Sequence, residues 1–338
     1  MPASRERQIS DAASAHAANT SKEYADASES TPLLRPGDRV GLVANSDGLT
    51  SRDLAEFTSL LSALEEMGLQ PVESPHLFAS DLALTSHPGP TSQHHPDALI
   101  RHDHAHPAPD ADRARALEDL FLAPDVKAIF DVSGGDLVGG VLSHLDLDVV
   151  AANPKPLFGY SDLTVLLNAL HPLTPTYLWS VRNLVRSDAA AQRVRFAASV
   201  LGSAPDLFDI SPQPVQDRLP DAPVVGGNLR CLLKLAGTPH FPELEGRLLA
   251  LESQGANPQA THAGFHQLRQ LGAFDQVSGV VLGRFTALQR SAGEDAPTRV
   301  LLDALSGHPS RRTLAIARGD FGHHGGSRAI RIGQPLPR

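Results

Sequence analysis

Apolar residues fall into two rhythms along this chain. Short runs such as Val40-Gly41-Leu42-Val43-Ala44, Val126 to Val132 and Pro156-Leu157-Phe158 are too brief for helices and read as buried strands. A longer rhythm places Leu54, Phe57, Leu60, Leu61, Leu64 and Met67 at three/four spacing. Thr50 or Ser51 can cap that helix and Gly68 can stop it. A strand near Gln70 to Val72 completes a β-α-β pattern, and helices around Asp110 to Phe121 and Leu137 to Leu145 continue the alternation. The pattern predicts an α/β fold with a doubly wound parallel sheet, whose ligands collect at the C-terminal ends of its strands.

Further on, Ala189 to Leu201 reads as a helix with Val194, Ala197, Ala198 and Leu201 on one face. Pro205, Pro212, Pro214, Pro220 and Pro223 then mark a boundary. Beyond it, strands are expected at 247–252, 279–285, 313–317 and 327–332, with helices at 262–271 and 297–305. The N-terminal residues are polar and weakly periodic. The predicted organisation is a disordered tail (1–32), an α/β domain (33–202), a linker (203–223) and a second domain (224–338).

Composition narrows the function classes. A net charge of −9 and a pI near 5.9 argue against a nucleic-acid or anionic-membrane surface. The single cysteine, Cys231, excludes an internal disulfide and a multi-cysteine metal site, and its apolar neighbours mark it as core. No run approaches the roughly 20 apolar residues of a membrane span, and no apolar segment follows the N-terminus, so cytoplasmic residence is expected.

Ser161 stands between the strand end Phe158-Gly159-Tyr160 and the helix opened by Asp162-Leu163-Thr164. Such a turn lifts a hydroxyl clear of the sheet and aims new backbone N–H groups at any oxyanion formed there. The spelling is not the usual G-x-S-x-G elbow, and the plain alternative is that Ser161 or Asp162 only caps a helix. Glu252 ends an apolar strand, and His323 lies in a glycine-rich loop, though each could be an ordinary surface or turn residue. Together the three supply a nucleophile, a base and a carboxylate to orient the base. His94, His95, His102, Asp103, His104 and His106 could hold a metal, but surrounding prolines favour a solvated loop.

An ordered set of motifs then resembles a known family. Gly159-Tyr160-Ser161-Asp162-Leu163-Thr164, Gly226-Gly227-Asn228-Leu229, Gly237-Thr238-Pro239, Leu251-Glu252 and Phe321-Gly322-His323 follow the order of the LD-carboxypeptidases. That family includes muropeptide LD-carboxypeptidases and microcin C immunity proteins. The resemblance runs from about Leu34 to the C-terminus and includes Pro36-Gly37-Asp38, Arg113 and Ser133-Gly134-Gly135.

It implies a flavodoxin-like N-terminal domain, a β-rich C-terminal domain, a homodimer and no cofactor or metal. It implies a serine carboxypeptidase with Ser161 as nucleophile, Glu252 and His323 completing the triad, and the N–H groups of Asp162 and Gly135 as oxyanion donors. Gly134, Trp179 and Asn228 are the implied substrate-binding residues, and the implied substrate is a muropeptide ending in a D-amino acid. Two departures bear on specificity: Trp179-Ser180-Val181 replaces the common His-Gly-Pro, and Ala263 replaces a common arginine. A self-immunity hydrolase acting on a peptidyl or aminoacyl nucleotide, and a non-catalytic binder of peptidoglycan fragments, are the alternatives.

Overall fold

The computed structural model describes residues 32–79 and 107–337, so the N-terminal tail and the histidine loop lie outside the described residues. Among the described residues, eleven strands form two sheets. The first contains β1 (Arg39–Val43), β2 (Gln70–Glu73), β3 (Val126–Asp131), β4 (Leu157–Gly159) and β5 (Thr176–Leu178), all parallel. Their spatial order, β5-β4-β3-β1-β2, is that of a flavodoxin-like doubly wound sheet. The second contains β6 (Gln213–Gln216), β7 (Val224–Asn228), β8 (Leu248–Ser253), β9 (Gly279–Phe285) and β10 (Ala315–Gly322). Its order is β6-β10-β9-β8-β7, parallel except for β6.

Three sequence expectations need correction. β11 (Ile330–Ile332) belongs to the first sheet, not the second: it pairs antiparallel with β5, Ile330 opposite Leu178. It thereby covers the row of N–H and C=O groups that β5 would otherwise present as an open edge. The segment expected to be a linker contributes β6 to the second sheet. The helix Ala189–Phe196, continued by a π turn at Ala197–Leu201, buries Gln192, Phe196, Ser199 and Val200, while Val194 is 68% exposed.

Strand alternation explains how the layers join. Along β3, Ala128 and Phe130 enter one core while Ile129 enters the core on the opposite face, where Val126 joins it beyond a register irregularity at Arg39/Val40. Along β8, Leu248 and Ala250 join Val126 and Ile129, whereas Leu249 and Leu251 face a third core against the helices Pro258–Gln270 and Ala296–Ala304. One continuous core therefore fills the space between the two sheets. The helix Thr164–Leu170 lies in that core, with Val165, Leu166, Leu167 and Leu170 all buried, so its surface carries no polar stripe. Among the described residues, no helix is long and apolar enough to cross a membrane.

Candidate active site

The C-terminal ends of β1, β3 and β4 carry Asn45-Ser46-Asp47, Ser133-Gly134-Gly135 and Ser161. Ser161 opens a 3-10 turn, Ser161–Leu163, that leads into the helix Thr164–Leu170. Its φ of +58° is left-handed, a conformation that costs a non-glycine residue about 1–2 kcal/mol. Strain of that kind persists only where surrounding structure enforces it, as it does at nucleophile turns. Gly134 lies alongside, since a Cβ there would stand 3.9 Å from the Ser161 Cβ.

The loop after β1 fixes the loop after β3. The Asp47 N–H donates to the Gly134 carbonyl at 3.2 Å, so the Gly135 N–H, on the other side of the same trans peptide, points away from the β1 loop. Asp47 Oδ1 also accepts from the Asp136 N–H at 2.8 Å. Gly135 has φ +136°, and any Cβ there would overlap the Asp47 carboxylate, so only glycine fits. Burial and the neighbouring Asp162 charge push the Asp47 carboxyl above its ordinary value.

Beneath both loops sits Asp131, at the end of β3. Its carboxylate accepts from Asn45 N (3.0 Å), Asn45 Nδ2 (2.8 Å), Ser133 N (2.8 Å) and Ser133 Oγ (2.6 Å). Burial raises it to about 6 despite those donors. From the far side the guanidinium of Arg113, 1% exposed, donates to the Asn45 carbonyl and, at 2.6 Å, to that of Ser46.

Asp162 follows the nucleophile position, and its carboxylate is fully buried. It accepts from Ser46 Oγ at 2.7 Å, the Val138 N–H at 3.0 Å and Lys234 Nζ at 2.5 Å. A buried carboxylate with three donors is held in one orientation, which also fixes its own backbone N–H.

The second sheet supplies the rest. Glu252, fully buried at the end of β8, accepts from Asn228 Nδ2 at 2.9 Å through Oε1. Its Oε2 lies 2.6 Å from His323 Nδ1. That contact fixes the tautomer, leaving Nε2 as the free nitrogen, and Nε2 is buried with no hydrogen-bond partner. The imidazole packs against the Tyr160 ring, centroids 4.7 Å apart, which brings it beside the residue preceding Ser161. His324 turns elsewhere, its Nε2 3.3 Å from Asp320.

The sequence-predicted residues Ser161, Asp162, Gly134, Gly135, Glu252 and His323 thus sit at facing strand ends of the two sheets. Two others are placed differently. Trp179 is fully enclosed, its indole stacked on Phe196 at 5.8 Å and its N–H donating to the Ser327 carbonyl at 3.1 Å. It lines no open pocket, because a large apolar ring one strand-residue past β5 finds the core of the first sheet closer than solvent. Asn228 Nδ2 is bonded to Glu252, and its Oδ1 caps the helix Leu229–Leu233. Among the described residues, no cluster of His, Cys, Asp or Glu could hold a metal ion.

Sequence reasoning missed Asp47, Asp131 and Lys234. The first two were findable: they end or follow β3 and β1, the strands flanking the switch point of the sheet, where such folds hold ligands. Nothing in the local sequence around Lys234 pairs it with Asp162, 72 positions away.

Comparison with known proteins identifies the family. Residues 40–178 fit the LD-carboxypeptidase N-terminal domain, and residues 221–336 fit the LD-carboxypeptidase C-terminal domain. The microcin C7 self-immunity protein MccF of Escherichia coli is 24% identical over 230 residues, 58% of this chain and 67% of that protein. The murein tetrapeptide carboxypeptidase of Pseudomonas aeruginosa is 30% identical over 192 residues, 53% of this chain and 62% of that protein. The structure of MccF in complex with aspartyl sulfamoyl adenosine superposes with a TM-score of 0.71 at 19% identity, covering 90% of this chain and 93% of the other. The chain belongs to the LD-carboxypeptidase family and is a serine-type carboxypeptidase.

Proposed function

We propose that this enzyme removes a terminal D-amino acid from cytoplasmic muropeptides through a triad of Ser161, His323 and Glu252. The observation that carries the reading is the 2.6 Å contact between Glu252 Oε2 and His323 Nδ1, which leaves a buried, unpartnered Nε2 beside the strained serine turn. Ser161 Oγ attacks the carbonyl carbon while its proton passes to His323 Nε2. Glu252 stabilises the imidazolium, and the N–H groups of Asp162 and Gly135 receive the oxyanion. Collapse of the tetrahedral adduct breaks the C–N bond, and Nε2 returns the proton to the leaving amine. Water then attacks the acyl-enzyme, gives a proton to Nε2 and releases the shortened peptide with Ser161 restored.

A muropeptide substrate is favoured over an aminoacyl nucleotide by the burial of Trp179, the sole tryptophan, which leaves no indole face free to stack on adenine. In this reading the enzyme acts as a homodimer, and light scattering checks that state. The deciding experiment is mass spectrometry of a muropeptide tetrapeptide after incubation with the purified protein. Loss of one alanine residue is expected. An unchanged tetrapeptide that nonetheless binds would favour the non-catalytic binder, and cleavage of only an aminoacyl sulfamoyl adenosine would favour self-immunity.

A further inference from the structure

The loop bearing His323 leaves β10 of the second sheet but is tied down by the first. Ser327, 1% exposed, is the knot. Its carbonyl accepts from the Trp179 indole N–H at 3.1 Å and from Gln192 Nε2 at 2.8 Å. Its hydroxyl accepts from the Gly322 N–H at 3.1 Å, the residue immediately before His323. Its own N–H donates to the His324 carbonyl at 3.1 Å, immediately after. Gln192 Nε2 makes a further bond to the Gly325 carbonyl at 2.5 Å. Trp179 and Gln192 are both fully buried; Trp179 stacks on Phe196 of the helix Ala189–Phe196, and Gln192 is carried by that same helix.

We propose that Trp179 and Gln192 are positioning residues for His323, acting through Ser327 to hold the base-bearing loop at the distance from Ser161 that proton transfer requires. The proposal rests on the triad reading above. Two physical points support it. A carbonyl that receives two buried donors cannot shift without leaving both unpaired, so the pair resists displacement more than either alone. Gly322 has φ +136° and closes β10 opposite Arg284, where a Cβ would press on the Arg284 backbone at 2.8 Å, so the chain leaves the second sheet immediately before His323 and the loop beyond is held by its contacts through Ser327. A buried amide on the helix Ala189–Phe196 and an indole just past β5 are therefore what lets a base on the second sheet meet a nucleophile on the first. Proton transfer is intolerant of small displacements, and misplacement by about 1 Å can cost on the order of 100-fold.

The test uses Trp179→Phe, which keeps an aromatic ring against Phe196 but removes the N–H, and Gln192→Met, which keeps length but removes the amide. For either variant, kcat is expected to fall about 10- to 100-fold with KM within about twofold, and the limb of the pH–rate profile assigned to the base should move. A second readout does not depend on turnover. The proton shared by His323 Nδ1 and Glu252 should give a far-downfield NMR resonance in the wild-type protein, lost in His323→Ala, and broadened in both positioning variants. If both variants keep the wild-type kcat, pH profile and resonance while only the melting temperature drops, the two residues are core packing and the proposal is overturned. If Ser161→Ala retains hydrolysis, the triad reading fails, and the resonance alone then decides whether the loop is anchored as described.

Discussion

Lys234 reaches from the segment after β7 to the buried carboxylate of Asp162, Nζ to Oδ1 at 2.5 Å, and so ties the second sheet to the turn that carries Ser161. Removing the cation leaves a fully buried carboxylate short of its charge partner. Breaking such a pair typically costs 3–5 kcal/mol; because the Lys234 side chain is 27% exposed, water can replace part of the loss. Lys234→Met is expected to destabilise by about 2–3 kcal/mol in urea titration and to lower kcat by moving the Asp162 N–H. A change below about 0.5 kcal/mol with full activity would show that the carboxylate does not depend on this ion pair.

Ser161 combines chemistry with a left-handed backbone, and two substitutions separate them. Ser161→Ala removes the hydroxyl and keeps the strain; hydrolysis should fall by at least about three orders of magnitude with the melting temperature nearly unchanged. Ser161→Gly also removes the strain and should be more stable than Ser161→Ala by about 1 kcal/mol. Equal stability of the two would mean that φ at this position relaxes in solution.

The neighbouring histidines should behave oppositely. His323 faces Glu252, whereas His324 pairs with Asp320, and burial lowers its pKa. His323→Ala should abolish turnover and His324→Ala should leave more than about a third of it. Glu252→Gln should lose roughly 10³- to 10⁴-fold, because an amide facing both Asn228 Nδ2 and His323 Nδ1 must place a donor against one of them. A Glu252→Gln enzyme within tenfold of wild type would remove the carboxylate from the mechanism.

Acid stability has an identifiable contributor away from the site. His171 is held down to about 4 by burial, with the Arg247 charge adding to the effect. The folded protein therefore binds this proton less readily than the unfolded chain, whose histidine titrates near 6.5. Stability should fall as pH drops from about 6.5 to about 4, and level off for this group below that. His171→Gln should flatten the slope relative to wild type in that window. Parallel pH–stability curves for the two proteins would mean that His171 titrates normally.

Local patterning revealed β1 to β4 and the serine turn because each depends on residues close in sequence, but the three-residue β5 was too short to stand out. The misread helix face shows where that stops. Apolar spacing picks Val194, Ala197, Ala198 and Leu201, yet the buried stripe includes Ser199, which accepts from the Leu207 N–H just beyond the helix, and Gln192, whose amide donates to Ser327, 135 positions away. A buried polar residue paired at long range looks like a surface residue in the sequence. The same blindness hid the pairing of Lys234 and the enclosure of Trp179, whereas the placement of Ser161, Glu252 and His323 at strand ends could be read from apolar runs that stop beside them.

The return of β11 to the edge of β5 means that neither half of the chain is a separable module. Among the described strands, β11 completes a sheet whose other members precede residue 179, with the entire second sheet threaded between them. Contacts of such long sequence separation carry a large loop-closure cost and slow folding. A chain cut short before Ile330 would uncover β5 and break the backbone bonds that join Gly333 and Gln334 to Val224 of β7, while the Ser327 attachment to Trp179 and Gln192 would remain, so the stretch from Ile330 onward acts as a latch between the two sheets. Unfolding of the two sheets should accordingly be a single cooperative event, triggered by whatever frees the C-terminal end.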